Sequence, residues 1–429
     1  MTRAQKTLIV LAAMLAAAAA VEPPASAADW PGWRGPRRDG ISRERGLLQE
    51  WPEGGPPLAW ATNVCGEGYG APAVVGNRVY LMGNGPKAEW VVALNIAKGG
   101  TQEWASATGP IRHQGGGHPG PRSTPTVDGD RVYALGMAGI LVCLSADDGR
   151  VIWHRNLVED FGGSIPQWGY SESVLVDRKF VVCTPGGKEN TIVALNKDNG
   201  KKVWGAALGD PAGYSSVIKA RIGRVSQYVA FTARGVVGVE ANTGRPLWRY
   251  DAPANPTANI ATPIWYRDTI FASSAGKGGG VVYPRRTPKG FMPQQVYFTK
   301  QMQNHHGGMV LINDFLFGCS NPNVLTCLNY RTGEVLWTDR SSGKCSIIYA
   351  DRRLYLRSED GPISLVTSSR QDFVLQGRFN QPFRSNRKAW THLVIANGMM
   401  YVRDQNVLLC YDIRDREESG EKEGSDGSG

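Results

Sequence analysis

Long apolar runs are scarce in this 429-residue chain: beyond the first 28 residues none approaches the roughly 20 residues of a membrane-spanning helix. Acidic residues are in deficit, with Asp and Glu 38 against Lys and Arg 48, a net charge of +10. The excess permits anionic partners or surfaces. No Lys/Arg run with interleaved aromatics is present, so nucleic acid is not an expected partner. A Gly-x-Ser-x-Gly elbow is missing, which removes the motif of a serine hydrolase. His-x-His and Cys-x-x-Cys spacings are missing too, and His305 and His306 are adjacent, so that on a strand they point to opposite sides. No metal site is therefore expected. Gly276-Lys277-Gly278-Gly279-Gly280 lacks the spacing of a phosphate loop. None of the seven cysteines is adjacent to another, and none precedes Cys65, so no lipid-accepting cysteine follows the N-terminal segment.

That segment has the grammar of a secretory signal. Arg3 and Lys6 open it, Leu8 to Val21 is apolar, and Ala25-Ser26-Ala27 supplies the small residues of a cleavage site. Residues 1–28 are thus expected to be removed and the mature chain exported, to the periplasm or outside the cell, as a soluble protein without a lipid anchor. Residues 29–57 form an N-terminal extension. At the other end, no apolar residue follows Ile413, and six acids against two bases follow Arg414, so residues 413–429 read as a disordered acidic tail. Cys143, Cys327 and Cys410 hold the same place in three repeats and are expected to lie far apart. Cys319 and Cys327 flank the turn signal Ser320-Asn321-Pro322-Asn323 and are candidates to face each other across a hairpin.

Glycine is abundant, 53 residues, and its placement is periodic. One phrase recurs: a small or apolar residue, Leu, a polar residue, a short turn, Gly, three residues, Trp. It runs from Ala93 through Gly100 to Trp104 and from Cys143 through Gly149 to Trp153. It returns from Ala194 through Gly200 to Trp204, from Gly238 through Gly244 to Trp248, and from Cys327 through Gly333 to Trp337. The Trp spacings are 49, 51, 44 and 89, so one repeat has lost its Trp near residue 293. Trp60 extends the series backwards and Phe379 forwards. Each repeat reads as four strands, with the glycine supplying the positive φ of the last hairpin and the Trp on the fourth strand. Four-stranded units at this period are the mark of a β-propeller, whose blades bury their faces against one another. The expected fold is all-β, an eight-bladed propeller of antiparallel blades over residues 58–412, with seven blades as the alternative if residues 250–305 are an insertion. Three strands follow Trp390 and one strand surrounds Trp60, so the N-terminal strand is expected to complete the C-terminal blade.

The phrase resembles the tryptophan-docking repeat of the pyrroloquinoline quinone (PQQ)-like propellers. Asp29-Trp30-Pro31-Gly32-Trp33-Arg34-Gly35-Pro36, Trp168-Gly169-Tyr170-Ser171-Glu172-Ser173, Asn304-His305-His306-Gly307-Gly308 and Tyr401-Val402-Arg403-Asp404 are similar to BamB-like exported members of the planctomycete type. The resemblance implies that Trp60, Trp104, Trp153, Trp204, Trp248 and Trp337 dock against the next blade and are structural. It implies a non-catalytic scaffold that binds a protein or an envelope component and needs no cofactor. The quinoprotein dehydrogenases of the same group imply the alternative, a PQQ- and calcium-dependent oxidoreductase or a binder of a small redox ligand. Their adjacent cysteines have no counterpart here, and no motif carries over a catalytic Asp or calcium ligands.

Residues just before the innermost strand of each blade belong at one mouth of the channel. Aligned on Arg122, that slot holds Tyr69, Ser171, Tyr214, Ile260, His306, Lys344 and Trp390, with Glu172, His305 and His392 beside it. Of the six histidines, His113, His118, His305, His306 and His392 all fall near the start of inner strands. A mixed aromatic and basic ring of this kind is a candidate ligand pocket. In the oxidoreductase alternative, Arg122 and Lys344 pair with carboxylates of the quinone, Tyr69, Tyr214 or Trp390 stack on it, and Glu172 is the one acid available as a base.

Overall fold

The computed structural model describes residues 28–112 and 118–416. The expected signal segment, His113 and the tail beyond Arg416 lie outside the described residues. Eight four-stranded antiparallel sheets form a closed wheel, and the described residues contain no helix. Blades 1 to 7 span residues 73–109, 126–156, 175–206, 218–250, 264–299, 304–339 and 345–379. Blade 8 joins Val394–Ala396, Met399–Asp404 and Val407–Asp412 to the N-terminal strand Leu58–Thr62. Trp60 pairs with Cys410 in that blade, which closes the ring as expected. Residues 250–305 are no insertion, because most of them build blade 5, and the count is eight.

Burial follows from the wheel. The second and third strands of a blade are sandwiched between neighbours and are apolar on both faces, as in Arg131–Leu135 and Ile140–Ser145. The fourth strand lies at the rim and buries little besides its Trp, as in Val151–Asn156. The core is correspondingly divided into layers between blades. One holds Tyr133, Cys143 and Trp153 of blade 2 with Val181, Val193 and Leu195 of blade 3. Another joins Ile348 and Leu365 of blade 7 to Met400 and Leu409 of blade 8, with Leu47 and Trp51 of the N-terminal extension.

The repeat phrase builds the contact between layers. Trp104, Trp153, Trp204, Trp248 and Trp337 each sit opposite the small residue of the phrase, and a bulge follows in every case. The bulge turns the ring towards the next blade. There the rings of Trp60, Trp104, Trp153 and Trp204 cover the turn glycine, whose φ is +77° at Gly100, +74° at Gly149, +69° at Gly200 and +73° at Gly244. A Cβ on these residues would meet the rings of Trp60, Trp104, Trp153 and Trp204 at 2.5, 2.6, 2.7 and 2.3 Å. Glycine is needed there both for its backbone and for its lack of a side chain. Trp104, Trp153 and Trp337 also donate from Nε1 to carbonyls of the following blade's turn, at Ala146, Lys197 and Ser369.

Three places depart from the expected pattern. The lost Trp is Tyr297, not a residue near 293: Tyr297 pairs with Val281 ahead of the bulge and covers Gly333. The ten-residue outer strands Gly278–Thr287 and Gly290–Thr299 lengthen that blade and shift the slot. Trp248 instead donates to Gln227 of its own blade at 2.6 Å. The hairpin register sets Cys327 opposite Phe317 and Cys319 opposite Leu325, so the expected Cys319–Cys327 facing does not occur.

The N-terminal extension closes one end of the channel. Trp30 exchanges backbone hydrogen bonds with Val74, Pro31 accepts from Val127, and Gly40 accepts from Tyr349. Arg34 donates to Met309 O, and Arg38 to Val217 O at 2.7 Å and to Ser173 O at 2.9 Å. Trp33 Nε1 reaches Thr262 at 2.9 Å, and Glu44 accepts from Gly398 N at 2.7 Å. Residues 30–44 therefore bond to every blade or to the segment leading into it.

Trp153→Ala should cost about 3–5 kcal/mol of stability and Gly200→Ala about 1–3 kcal/mol, and the double variant should cost less than their sum because the two groups touch. Urea unfolding of the three variants checks this.

Candidate functional site

The plug turns a through-channel into a cup. The strands that line the channel begin at the open mouth and run towards the plug, so residues preceding them stand at the rim and Trp33 of the plug stands at the floor. The cavity has a volume of about 400 Å³. Seven of the residues placed at the mouth by repeat alignment line it: Tyr69, Arg122, Tyr214, His305, His306, Trp390 and His392. Ser171 and Ile260 of the same ring line it as well, as does His118. Their convergence follows from eightfold repetition, because one slot per blade is carried to one rim.

The wall is a chain of rings. Tyr69 and Trp390 have centroids 5.3 Å apart, His118 and Trp390 4.5 Å, and His306 and Trp390 5.4 Å. Trp168 lies 5.6 Å from Tyr214 across the cup's other side. At the floor the Trp33 and His392 rings are 4.6 Å apart. Tyr69 Oη and His118 Nδ1 are 3.3 Å apart. Arg122 has its guanidinium 5.9 Å from the Tyr69 ring centroid and donates to His118 O at 3.1 Å and Trp168 O at 3.3 Å.

Two expected residues stand elsewhere. Lys344 does not line the cup; its Nζ sits behind the wall, 2.8 Å from His305 Nδ1 and 3.7 Å from Glu359. Glu172 does not line it either. It is 2 % exposed, accepts from Thr184 N, and stands near Arg38 of the plug. Burial pushes its carboxyl up to about 7, against those hydrogen bonds and the Arg38 charge. The base expected at the mouth is thus a buried group tied to the plug. Glu359, which sequence reasoning missed, is the acid that organises the wall. It accepts from Trp390 Nε1 at 3.0 Å and faces His306 Nε2 at 3.4 Å. The His306 hydrogen bond, with Trp390 and Lys344, holds it down at about 2. Trp33 and Trp168 were missed as lining residues because neither occupies the repeated slot.

The electrostatics favour electron-rich or anionic planar molecules. Among the described residues no carboxylate lines the cup, while Arg122 does. Its histidines are held neutral: burial brings His305 down to about 4, helped by His306 and Lys344, and His392 down to about 3, helped by Arg34. His392 donates from Nε2 to His306 O at 2.9 Å, and the buried Nδ1 atoms of His306 and His392 have no protein partner among the described residues. Among the described residues no group of three or more His, Cys, Asp or Glu is arranged to hold a metal ion.

The sequence profile of a family described as outer membrane protein assembly factor BamB matches residues 87–339. The outer membrane protein assembly factor BamB of Salmonella typhimurium is 22% identical over 254 residues, 57% of this chain and 63% of that protein. The Escherichia coli K12 protein of the same name is 22% identical over 253 residues, 57% of this chain and 62% of its own length. The chain thus spans about 63% of the length of the curated relatives it matches. Among solved structures, BamB from Moraxella catarrhalis superposes with a TM-score of 0.60 at 15% identity, covering 83% of this chain and 97% of that one. A europium-containing methanol dehydrogenase superposes with a TM-score of 0.66 at 11% identity, covering 89% of each. These structural likenesses show the fold.

Because folded His392 resists protonation near pH 6.5 while the unfolded chain accepts it, its stabilising contribution is present above pH 6.5 and is lost as pH falls towards 3. His305 acts in the same direction and Glu172 in the opposite one, with stability lost as pH rises from 4.5 towards 7. Comparison with His392→Gln isolates the first effect: between pH 7.5 and 5.0 the wild type should lose up to about 2 kcal/mol more than the variant in urea titrations.

Proposed function

The chain belongs to the family of the outer membrane protein assembly factor BamB, and from that membership we propose that it is an exported, non-catalytic scaffold that binds protein in the cell envelope during assembly of outer membrane proteins. Residues 1–28 would direct its export. The observation that carries the reading is the family match over more than half of the chain, set on a rigid eight-bladed wheel. Support for a docking surface comes from the plug face. A groove of about 980 Å³ there runs beside the inner strands of blades 3 to 5. Arg37, Arg221 and Arg224 line it, exposed and, among the described residues, without an ion-pair partner; Trp265 beside them is 43 % exposed. An acidic segment of a partner protein, carrying an apolar anchor for Trp265, fits this chemistry.

The test uses cells whose own copy is deleted. Abundance of outer-membrane β-barrel proteins should fall and be restored by the wild-type chain. An Arg221→Glu, Arg224→Glu, Trp265→Ala variant of wild-type stability should fail to restore it and should lose the envelope protein crosslinked to the wild type. Unchanged barrel-protein levels in the deleted cells, or full rescue by the variant, would sink the reading.

The cup favours a second reading, the binding of a small planar anion by Arg122 between the aromatic walls. The calcium–quinone pair of a quinoprotein dehydrogenase does not fit these residues. Calcium takes about six to eight oxygen ligands, carboxylates among them, whereas among the described residues the cup offers only neutral oxygens such as those of Tyr69, Ser171 and Asn255. After incubation with PQQ and calcium followed by desalting, the absorbance spectrum should show no calcium-dependent quinone. Retention at near-equal stoichiometry only with calcium would restore the dehydrogenase reading.

A further inference from the structure

All seven cysteines are buried thiols in this structure. Cys65 lies in the core layer between blades 8 and 1, and Cys143, Cys183, Cys327 and Cys410 lie within strands, each packed among apolar side chains. Cys319 and Cys345 differ. Cys319 is near the end of the second strand of blade 6, Phe315–Ser320, and Cys345 opens the inner strand of blade 7, Cys345–Ala350. The Cys345 amide donates to Cys319 Sγ at 3.1 Å, and the Cys319 thiol reaches Gly343 O at 3.3 Å. The two thiols lie close enough to perturb each other's ionisation.

We propose that Cys319 and Cys345 form a redox pair which, in an oxidising compartment, closes to a disulfide tying blade 6 to blade 7 behind the cup wall. Two features make the bond consequential. Cys345 directly follows Lys344, whose ammonium sets His305 in the wall and faces Glu359, so the bond anchors that wall at its base. It also closes a loop between residues 26 apart in sequence, adding a second covalent link to the connecting segment 340–344 across this blade boundary. Interaction with Cys345, its amide included, together with Lys344, lowers the Cys319 thiol, while Cys345 is raised. With the Cys345 amide donating to its sulfur, Cys319 is the attacking thiolate. With oxidised glutathione as oxidant, Cys319 sulfur attacks one glutathione sulfur and releases one reduced glutathione. Cys345, losing its proton, then attacks Cys319 sulfur of the mixed disulfide and releases the second. The protein loses two electrons and two protons, and one glutathione disulfide becomes two thiols.

The test takes the chain from residue 28 in two arms, incubated folded with oxidised glutathione and refolded from denaturant in a glutathione redox buffer. Each is then denatured, alkylated and weighed intact. In at least one arm five alkyl groups are expected in place of seven, with a crosslinked peptide containing Cys319 and Cys345. Cys319→Ser and Cys345→Ser should each abolish that crosslink, and Cys327→Ser should leave it. Seven alkylated cysteines in both arms, or a bridge that joins Cys319 to Cys327, overturns the proposal.

Discussion

An aromatic ring laid on a glycine turn of the next blade is the contact on which the wheel depends. A four-stranded blade cannot bury both faces by itself, and its rim strand is nearly all exposed. The docked ring gives the rim strand one deep attachment, and under Trp60, Trp104, Trp153 and Trp204 a glycine admits it to contact distance only because it has no Cβ. The same arrangement survives changes in the ring itself. Tyr297 lies on Gly333, and Phe379 lies on Gly55 at the closing blade, where a Cβ would be 2.4 Å from the ring. In these blades a flat side chain lies over a bare backbone, whether the ring is Trp, Tyr or Phe, while Trp337 docks on the Ser369 carbonyl instead.

Closure of the ring leaves a second problem, the channel at its axis. Inner strands bring carbonyl groups to the axis, and these need donors. The N-terminal extension supplies them with Arg34 and Arg38, whose guanidinium groups remain charged because burial lowers them only to about 10. Their charges sit among backbone oxygens, and Glu172 lies close enough to Arg38 to balance it electrostatically. The extension is therefore part of the fold. It joins all eight blades at one level, and it converts an open axis into a cup with one mouth.

The two faces of the wheel consequently differ in chemistry. The mouth face holds an enclosed pocket of rings and neutral imidazoles with Glu359, Lys344 and Lys388 arrayed behind its wall. The plug face is open, basic and broad. A protein scaffold uses the second kind of surface, while a small ligand uses the first. Among the described residues no carboxylate lines the cup. Its histidines are poor bases in the folded state for the same reason that they pack well, since desolvation favours their neutral forms.

Much of this was legible in the sequence because propeller contacts repeat. Gly149 and Trp153 stand four residues apart in one blade, and the same distance recurs in four other copies, so the eight blades and the closing strand could be read from spacing, while the docking of the Trp came from the family resemblance. The mouth residues were legible for the same reason: Arg122, Tyr214 and Trp390 hold one slot carried round the ring. Contacts made once have no such signature. Trp33 meets His392 through a plug that belongs to no blade, Glu359 reaches Trp390 across a blade boundary, and Cys319 meets Cys345 rather than the Cys327 of its own hairpin. Glu172 was placed beside its slot correctly but stands buried away from the cup, in the segment ahead of the strand Leu175–Asp177, bonded to Thr184 N and near Arg38. Periodic chemistry determined the architecture, since it is written wherever the same contact is needed again. The cup's floor, its acid and the thiol pair were decided only by tertiary structure, since each depends on segments distant in sequence that meet a single time.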